Sequence, residues 1–245
     1  MISVVVIEYN SLEDIDKFIK PVMDYFGSDY ELIISSNSLY SNDEKERISR
    51  QYNFARWVFN KRNGGFAYGM NEGLKVSKGD VFVVMNPDVR PLTSIQTMVR
   101  YLKAHKNIGI IAPKIVDEDG VVQDSFRHYI TPWRFFLRHI ERIKMDNRLS
   151  VMNVQQPIQV DWVIGAFMMC RRDFYERVGG LSDAYFMYCE DMDWCKRAHL
   201  AGYDVTYFPE AIIKYKGTRS ARKSWKYTKI FMKSLFTYWK KYGIR

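Results

Sequence analysis

The chain alternates short, continuous apolar runs with amphipathic stretches, and this pattern already outlines a fold. Ile2–Ile7 and Val81–Met85 are runs of β-branched and apolar residues with no polar interruption larger than a serine, the mark of strands buried on both faces. Tyr30–Ile34, Arg56–Asn60 and Ile108–Pro113 read as further strands. Between them lie helical patterns. Leu12–Tyr25 places Leu12, Ile15, Phe18 and Ile19 on one face, Asp43–Tyr52 follows the polar loop Ser35–Asn42, and Thr93–His105 follows Asn86-Pro87. Asn63–Gly73 is glycine-rich and opens a short helix ending near Gly79. Strands alternating with helices in this way predict an α/β fold with a doubly wound, mostly parallel central sheet.

The second half is less regular. Thr131-Pro132 starts a predicted helix with Trp133, Phe136, Leu137, Ile140 and Ile143 at helical spacing. Val160–Arg171 reads as one strand around Gly165, Phe174–Val178 as a helix stub before the Gly179-Gly180 turn, and Asp191–Ala201 as a helix stopped by Gly202. Val205–Phe208 and Ala211–Tyr215 read as two strands, and Tyr227–Tyr242 as a basic amphipathic helix. In doubly wound sheets ligands gather at the carboxyl ends of the strands, so Tyr9-Asn10, Ser35–Ser38 and Asn86–Asp88 are expected to line one crevice.

Composition narrows the class. With 245 residues, 47% hydrophobic and 27% charged, the chain can bury a large core and is not disordered. The longest apolar runs fall well short of a bilayer span. Met1 leads directly into a strand, which predicts a cytoplasmic chain without a signal peptide. Cys170, Cys189 and Cys195 show no metal spacing and are expected to be reduced, packed thiols. The net charge of +9 is concentrated at one end: Ala211–Arg245 holds eleven Lys or Arg and no acid, leaving −2 on residues 1–210. A nucleic-acid surface would have to be that tail alone, so no nucleic-acid partner is expected; an anionic membrane leaflet suits the tail better.

Three segments carry candidate chemistry. Asn86-Pro87-Asp88 places a carboxylate just after a buried strand, where it either ends a turn or holds a divalent cation shared with phosphates. Asn63–Gly73 has four glycines, allowing close approach to a ligand, but lacks the spacing of the dinucleotide fingerprint. Glu190, Asp191 and Asp193 surround a helix start. They are ordinary helix-N-terminal charge or, set against the apolar Tyr185–Cys189, a general base with a raised pKa. The four histidines lack ligand spacing.

Taken in order, ISVVVIEYNS, NGGFAYGMNEG, VMNPDV and the block from Ile164 to Gly217 resemble the family-two inverting glycosyltransferases of the GT-A fold, and among them the rhamnosyltransferase-like enzymes of bacterial surface polysaccharides. The resemblance covers roughly Met1 to Ser220. It implies a single transferase domain over 1–213, with a nucleotide-sugar half (1–90) and an acceptor half (91–213), followed by a tail over 214–245. It also implies transfer of a sugar, rhamnose favoured, from a dTDP- or UDP-sugar to a hydroxyl of a lipid-linked or oligosaccharide acceptor. Asp191 is then the base, with Glu190 positioning a substrate. Tyr9, Ser36, Asn37, Asn63, Gly69, Asn71, Asn86, Asp88, Gly165 and Ala166 attend the donor, and Asp88 holds Mg²⁺ or Mn²⁺.

Three departures stand out. The family's Thr-Tyr-Asn is Glu8-Tyr9-Asn10, its Asp-Asn after the second strand is Ser36-Asn37, and its late His is Tyr215. A tyrosine is a poor ligand for Mg²⁺, so Tyr215, Lys216 and Arg219, with Lys214, are expected at the diphosphate. These departures also admit a non-catalytic reading, a sugar-nucleotide-binding partner subunit. The basic aromatic tail, with Trp225, Tyr227, Phe231, Phe236, Tyr238 and Trp239, is expected to lie aromatic face down on the inner leaflet of the plasma membrane; the bland alternative is a core-packed helix with solvated lysines.

Overall fold

Parallel strands bury both faces, and the alternation of the first strand divides the core accordingly. In the computed structural model, which describes residues 1–19, 21, 23–137, 154–216 and 224–243, β1 (Ile2–Glu8) directs Val4 and Val6 into one apolar cluster and Val5 into another. It pairs in parallel with β2 (Tyr30–Ser36) and β4 (Val81–Met85), and β2 pairs in parallel with β3 (Arg56–Phe59). Beyond β4 the sheet changes direction. β10 (Phe167–Arg171) runs antiparallel to both β4 and β6 (Ile108–Val116), and β11 (Asp204–Lys214) is parallel to β6. The short strands β5 (Arg90–Pro91) and β8 (Ile158–Gln159) close the far edge against β11. A separate ribbon joins β7 (Phe126–Arg127) to β9 (Trp162–Val163). The result is a nine-stranded mixed sheet with a largely parallel half.

Helices cover both faces. α1 (Asn42–Gln51), opened by a capping box between Ser41 and Glu44, and α3 (Gln96–Ala104) lie with the 12–26 segment on one side. α2 (Phe66–Val76), α5 (Arg172–Val178), α6 (Glu190–Leu200) and α7 (Trp225–Tyr242) lie on the other; α4 (Pro132–Leu137) leans on α7 through Phe135 and Trp239.

Four expectations need correction. Leu12–Tyr25 is not one α-helix: it is a helical turn (Leu12–Asp14), a π-type turn (Ile15–Ile19) and a 3₁₀ turn (Met23–Phe26), with Pro21, which lacks an N–H, in between. Val160–Arg171 is two strands, β9 and β10, interrupted at Ile164–Ala166, where the Gly165 N–H turns away from the sheet. The two strands expected over 205–215 are one, with a register shift between Phe208 and Ile212 at Pro209. The last correction concerns the tail. Its aromatic face is not open to a membrane: Leu235, Tyr238 and Trp239 are buried, and the Trp239 Nε1–H donates to the Ile130 carbonyl at 2.6 Å. The apolar side of α7 is thus part of the core, and Trp225 (73% exposed) and Phe236 (60%) are left on the outer face with Lys229, Lys233 and Lys240. The expected continuation of the Trp133 helix through Ile140 and Ile143 lies outside the described residues.

This packing sets a contrast between two tryptophans of the same helix. Trp239→Ala is expected to lower the unfolding free energy by roughly 3–5 kcal/mol, and Trp225→Ala to change it by no more than about 0.5 kcal/mol, both read by urea denaturation.

Candidate active site

The carboxyl ends of β1, β2, β4, β6 and β11 share one edge of the sheet, and the start of the antiparallel β10 meets them there. That crossing brings sequence-distant residues together. The Asn86 N–H donates to the Ala166 carbonyl at 2.9 Å, and the Asn86 side-chain amide donates to the Tyr215 hydroxyl at 3.0 Å. The Gly165 N–H donates to Asp191 Oδ2 at 2.9 Å, and a Cβ on Gly165 would sit 3.2 Å from the Asp191 Cβ. Asn86, Gly165, Ala166, Asp191 and Tyr215 therefore form one connected group, with Asp88 two residues beyond Asn86.

The acids of this group differ in environment. Asp191, half-buried at the N-terminus of α6, also accepts its neighbour Met192's N–H at 2.8 Å. Burial raises its carboxyl above the usual range, against the two N–H donors and the charge of Arg127. Glu190 is 6% exposed and its Oε2 has no hydrogen-bond partner among the described residues; burial first, then the charge of Asp191, raises it well above the usual range. Asp88 is half-buried and is raised by burial, with Asp14 adding to the shift. Tyr215 is pushed up to about 12 by burial and by the nearby carboxylates, so it is a neutral phenol. Asp193 is of another kind. It is fully buried, yet hydrogen bonds from Lys241 and Arg197 outweigh burial and hold it below the usual range. It is an internal ion pair rather than a member of the site.

The end of the crevice at β1 and β2 is built around Glu8. This fully buried carboxylate accepts from Ser36 Oγ (2.5 Å), Ser38 Oγ (3.1 Å), the Tyr40 hydroxyl (3.1 Å) and the Ser11 N–H (2.8 Å), so it turns into the two loops rather than toward the cleft. Ser36 and Asn37 are buried with it: Asn37 donates to the Gly65 carbonyl and accepts from Asn60, both at 2.9 Å. Beside this network opens a cleft of about 350 Å³ lined by Asn10, Ser11, Leu12, Glu13, Asp14 and Tyr40. Tyr9, 53% exposed, stands near its rim.

Other expected site residues have local work. Asn63 Oδ1 accepts the Gly65 N–H at 3.0 Å. Gly69 lets α2 approach Ile7 and Asn37. Asn71 is engaged by both the N–H and the carbonyl of Leu181 and by Asp183. Lys214 pairs with Glu118, Lys216 is exposed, and Arg219 lies outside the described residues. Tyr40, Asp14 and Arg127 carry no local signal: Tyr40 bonds Glu8 from 32 residues on, and Asp14 and Arg127 act by charge on Asp88 and Asp191. Only Glu8 carried a signal, its departure from the family pattern.

The donor set fits a divalent cation of one kind. Among the described residues there is no group of three His, Cys, Asp or Glu able to enclose a metal. Asp88 is a half-buried carboxylate without a salt bridge among those residues; were it to hold Mg²⁺ or Mn²⁺, most of the oxygen shell would come from a bound diphosphate and water.

A sequence profile of glycosyl transferase family 2 matches residues 3–179, and a profile of the N-terminal domain of galactosyltransferase matches residues 147–221. The chain is 24% identical over 208 residues to rhamnosyltransferase WbbL of Escherichia coli K12, covering 79% of this chain and 76% of that one. It is 29% identical over 162 residues to the N-acetylglucosaminyl-diphospho-decaprenol L-rhamnosyltransferase of Mycobacterium tuberculosis, covering 58% of this chain and 49% of the relative. The chain therefore matches about half the length of that relative. Among solved structures, GalNAc-T7 with UDP, GalNAc and Mn²⁺ superposes with a TM-score of 0.66 at 15% identity, over 88% of this chain and 43% of that one. That likeness establishes a fold of the GT-A type.

The pair Glu190–Asp191 has a measurable signature. Because the folded Glu190 keeps its proton above the pH at which the unfolded glutamate ionises, about 4.3, the folded state binds the extra proton and loses stability as pH rises. Glu190→Gln lacks this loss. Its Tm is expected to match wild type near pH 4 and to exceed it increasingly toward pH 8, read by thermal denaturation across pH.

Proposed function

The chain belongs to glycosyl transferase family 2, and from that premise we propose that it moves a sugar, rhamnose favoured, from a dTDP- or UDP-sugar to a hydroxyl of a lipid-linked or oligosaccharide acceptor with inversion at the anomeric carbon. That the chain is a glycosyltransferase acting through a nucleotide sugar follows from the family; the named relatives favour rhamnose and a diphospholipid acceptor. The observation that carries the mechanism is the placement of Asp191, held by the Gly165 N–H at the sheet edge beside Asn86 and Asp88.

Asp191 takes the acceptor hydroxyl proton as that oxygen attacks the anomeric carbon, and the bonding pair of the broken C–O bond leaves with the diphosphate. Its raised pKa makes it a stronger base than an exposed aspartate. Glu190, buried with Oε2 unpartnered among the described residues and its pKa raised by burial, positions a substrate hydroxyl. Gly165 and Ala166 leave room for the sugar. Tyr9 and the loops held by Glu8 face the nucleoside, with Ser36 and Asn37 bracing those loops from beneath. Asn63, Gly69 and Asn71 shape the donor-side helix. Tyr215 and Lys216 face the diphosphate. Held by Asp88, Mg²⁺ or Mn²⁺ would neutralise charge developing on the leaving diphosphate.

The proposed transferase domain extends over 1–213, and α7 of the following segment packs into its core. The outer stripe of α7, Trp225, Lys229, Lys233, Phe236 and Lys240, together with Trp133 (71% exposed), suits peripheral contact with the anionic inner leaflet of the plasma membrane from the cytoplasmic side. No helix among the described residues is long and apolar enough to cross a membrane. Contact at the surface brings the site to a lipid-linked acceptor.

Calorimetric titration with UDP and dTDP, in Mn²⁺ and in EDTA, tests this site together with turnover of a sugar-nucleotide panel. Asp191→Asn should bind nucleotide as wild type does and lose turnover by about 10²–10⁴-fold, whereas Asp88→Ala should lose the Mn²⁺-dependent part of binding. An Asp191→Asn protein with full turnover would remove Asp191 from the chemistry. For the surface, cosedimentation with phosphatidylglycerol vesicles should fall in a Trp225→Ala/Phe236→Ala variant and be abolished by high salt. Unchanged cosedimentation would exclude α7 as the contact.

A further inference from the structure

Asp193 is the buried charge the chemistry does not use, and the C-terminal helix is the segment the family resemblance leaves without a role. The two meet. Asp193 Oδ1 accepts from Lys241 Nζ (2.7 Å), the Tyr242 hydroxyl (2.9 Å) and the Tyr185 hydroxyl (3.1 Å), and Oδ2 accepts from Arg197 Nε (2.8 Å). One carboxylate thus joins α6, the loop 185–189 and the last turn of α7. That loop carries the chain into Glu190 and Asp191, and it arrives by an unusual route. Tyr188 (φ 71°) and Cys189 (φ 68°) are consecutive residues with side chains in the left-handed region, a conformation that persists only where surrounding contacts enforce it.

The enforcing contacts come from two sides. From the donor side, the Phe66 N–H donates to the Phe186 carbonyl at 2.8 Å, and Gly65 lies so close that a Cβ there would be 2.0 Å from that oxygen. From the tail side, Ser234 Oγ donates to the Met187 carbonyl at 2.8 Å, and the Phe231 ring meets the Tyr188 ring edge-on at 5.8 Å. Phe231, Ser234, Lys241 and Tyr242 thus meet this loop or Asp193, and Trp239 holds the Ile130 carbonyl.

We propose that α7 is a clamp that holds the left-handed turn at Tyr188-Cys189 and so positions Glu190 and Asp191, with Ser234, Lys241 and Asp193 as positioning residues for the transfer step. The inference rests on the reading of Asp191 as the base and goes beyond it: the tail acts on catalysis through the protein, independently of any lipid contact. The clamp meets the loop on the acceptor side, and among the described residues the Glu8 network at the nucleoside end has no hydrogen bond to α7. Loosening the clamp should therefore affect turnover and leave nucleotide binding unchanged.

The test uses the full chain with two mild variants, Ser234→Ala and Lys241→Met, each leaving Asp193 its Arg197 partner, and Lys241→Arg as the conservative control. Hydrolysis of dTDP- and UDP-sugars by water is measured without lipid, beside dTDP and UDP affinity, Tm and amide hydrogen exchange of residues 185–193. The expected result is a fall in turnover of about tenfold in both variants, nucleotide affinity within a factor of two, faster exchange confined to 185–193, and recovery of turnover in Lys241→Arg. Wild-type turnover in both variants, or a loss that tracks an equal fall in Tm and nucleotide affinity, would overturn the clamp. Failure of the underlying reading is distinct: it appears as full turnover in Asp191→Asn whatever the clamp variants do.

Discussion

A carboxylate that must act as a base has to be buried enough to be basic and yet held so that it points at one place, and the arrangement around Asp191 meets both demands. The Gly165 N–H holds one oxygen and the start of α6 holds the other. The helix dipole favours negative charge at that end, which offsets part of the cost of setting two acids side by side. Much else follows from this placement. β9 and β10 are separate strands because Gly165 leaves the ladder to reach Asp191, and β10 runs against its neighbours so that its start, not its end, meets Asn86 at the sheet edge.

The end of the crevice at β1 and β2 shows a different economy. The family pattern has a hydroxyl residue at the end of the first strand and a carboxylate after the second; here Glu8 and Ser36 are direct register partners with those groups exchanged. The pair survives as a hydrogen bond, but its carboxylate is sealed beneath the loops and saturated by four donors. What remains open at the cleft is Asn10 and Tyr40, with the exposed Tyr9 next to them in the chain. Glu8 fixes the shape of those loops from underneath.

The buried strands, their order up to β4, and the grouping of polar residues at their ends were legible because periodicity and strand length follow directly from burial. Glu190, Asp191 and Asp88 were legible as acids at a helix start and a strand end, though Asp193 in the same cluster has the opposite character. Arg197, one helical turn on, and the approach of Lys241 and Tyr242, 48 and 49 residues away, separate them. The tail failed for the same reason: an amphipathic aromatic helix looks alike whether its apolar side meets lipid or protein, and the choice is made by the hydrogen bonds of Ser234 and Trp239 to distant carbonyls. The interruption at Gly165 and the merging of the last two strands likewise depend on partners that no local pattern encodes.

The proposed transfer is a single displacement at the anomeric carbon, with Asp191 as the base and Asp88 at the leaving diphosphate. The most direct measurement is the anomeric configuration of the sugar first released when the protein hydrolyses its donor, followed by proton NMR faster than the free sugar equilibrates. Release of the anomer opposite to that of the donor is the predicted result. Release of the same anomer would mean two displacements or a front-face reaction, and would contradict the role given to Asp191.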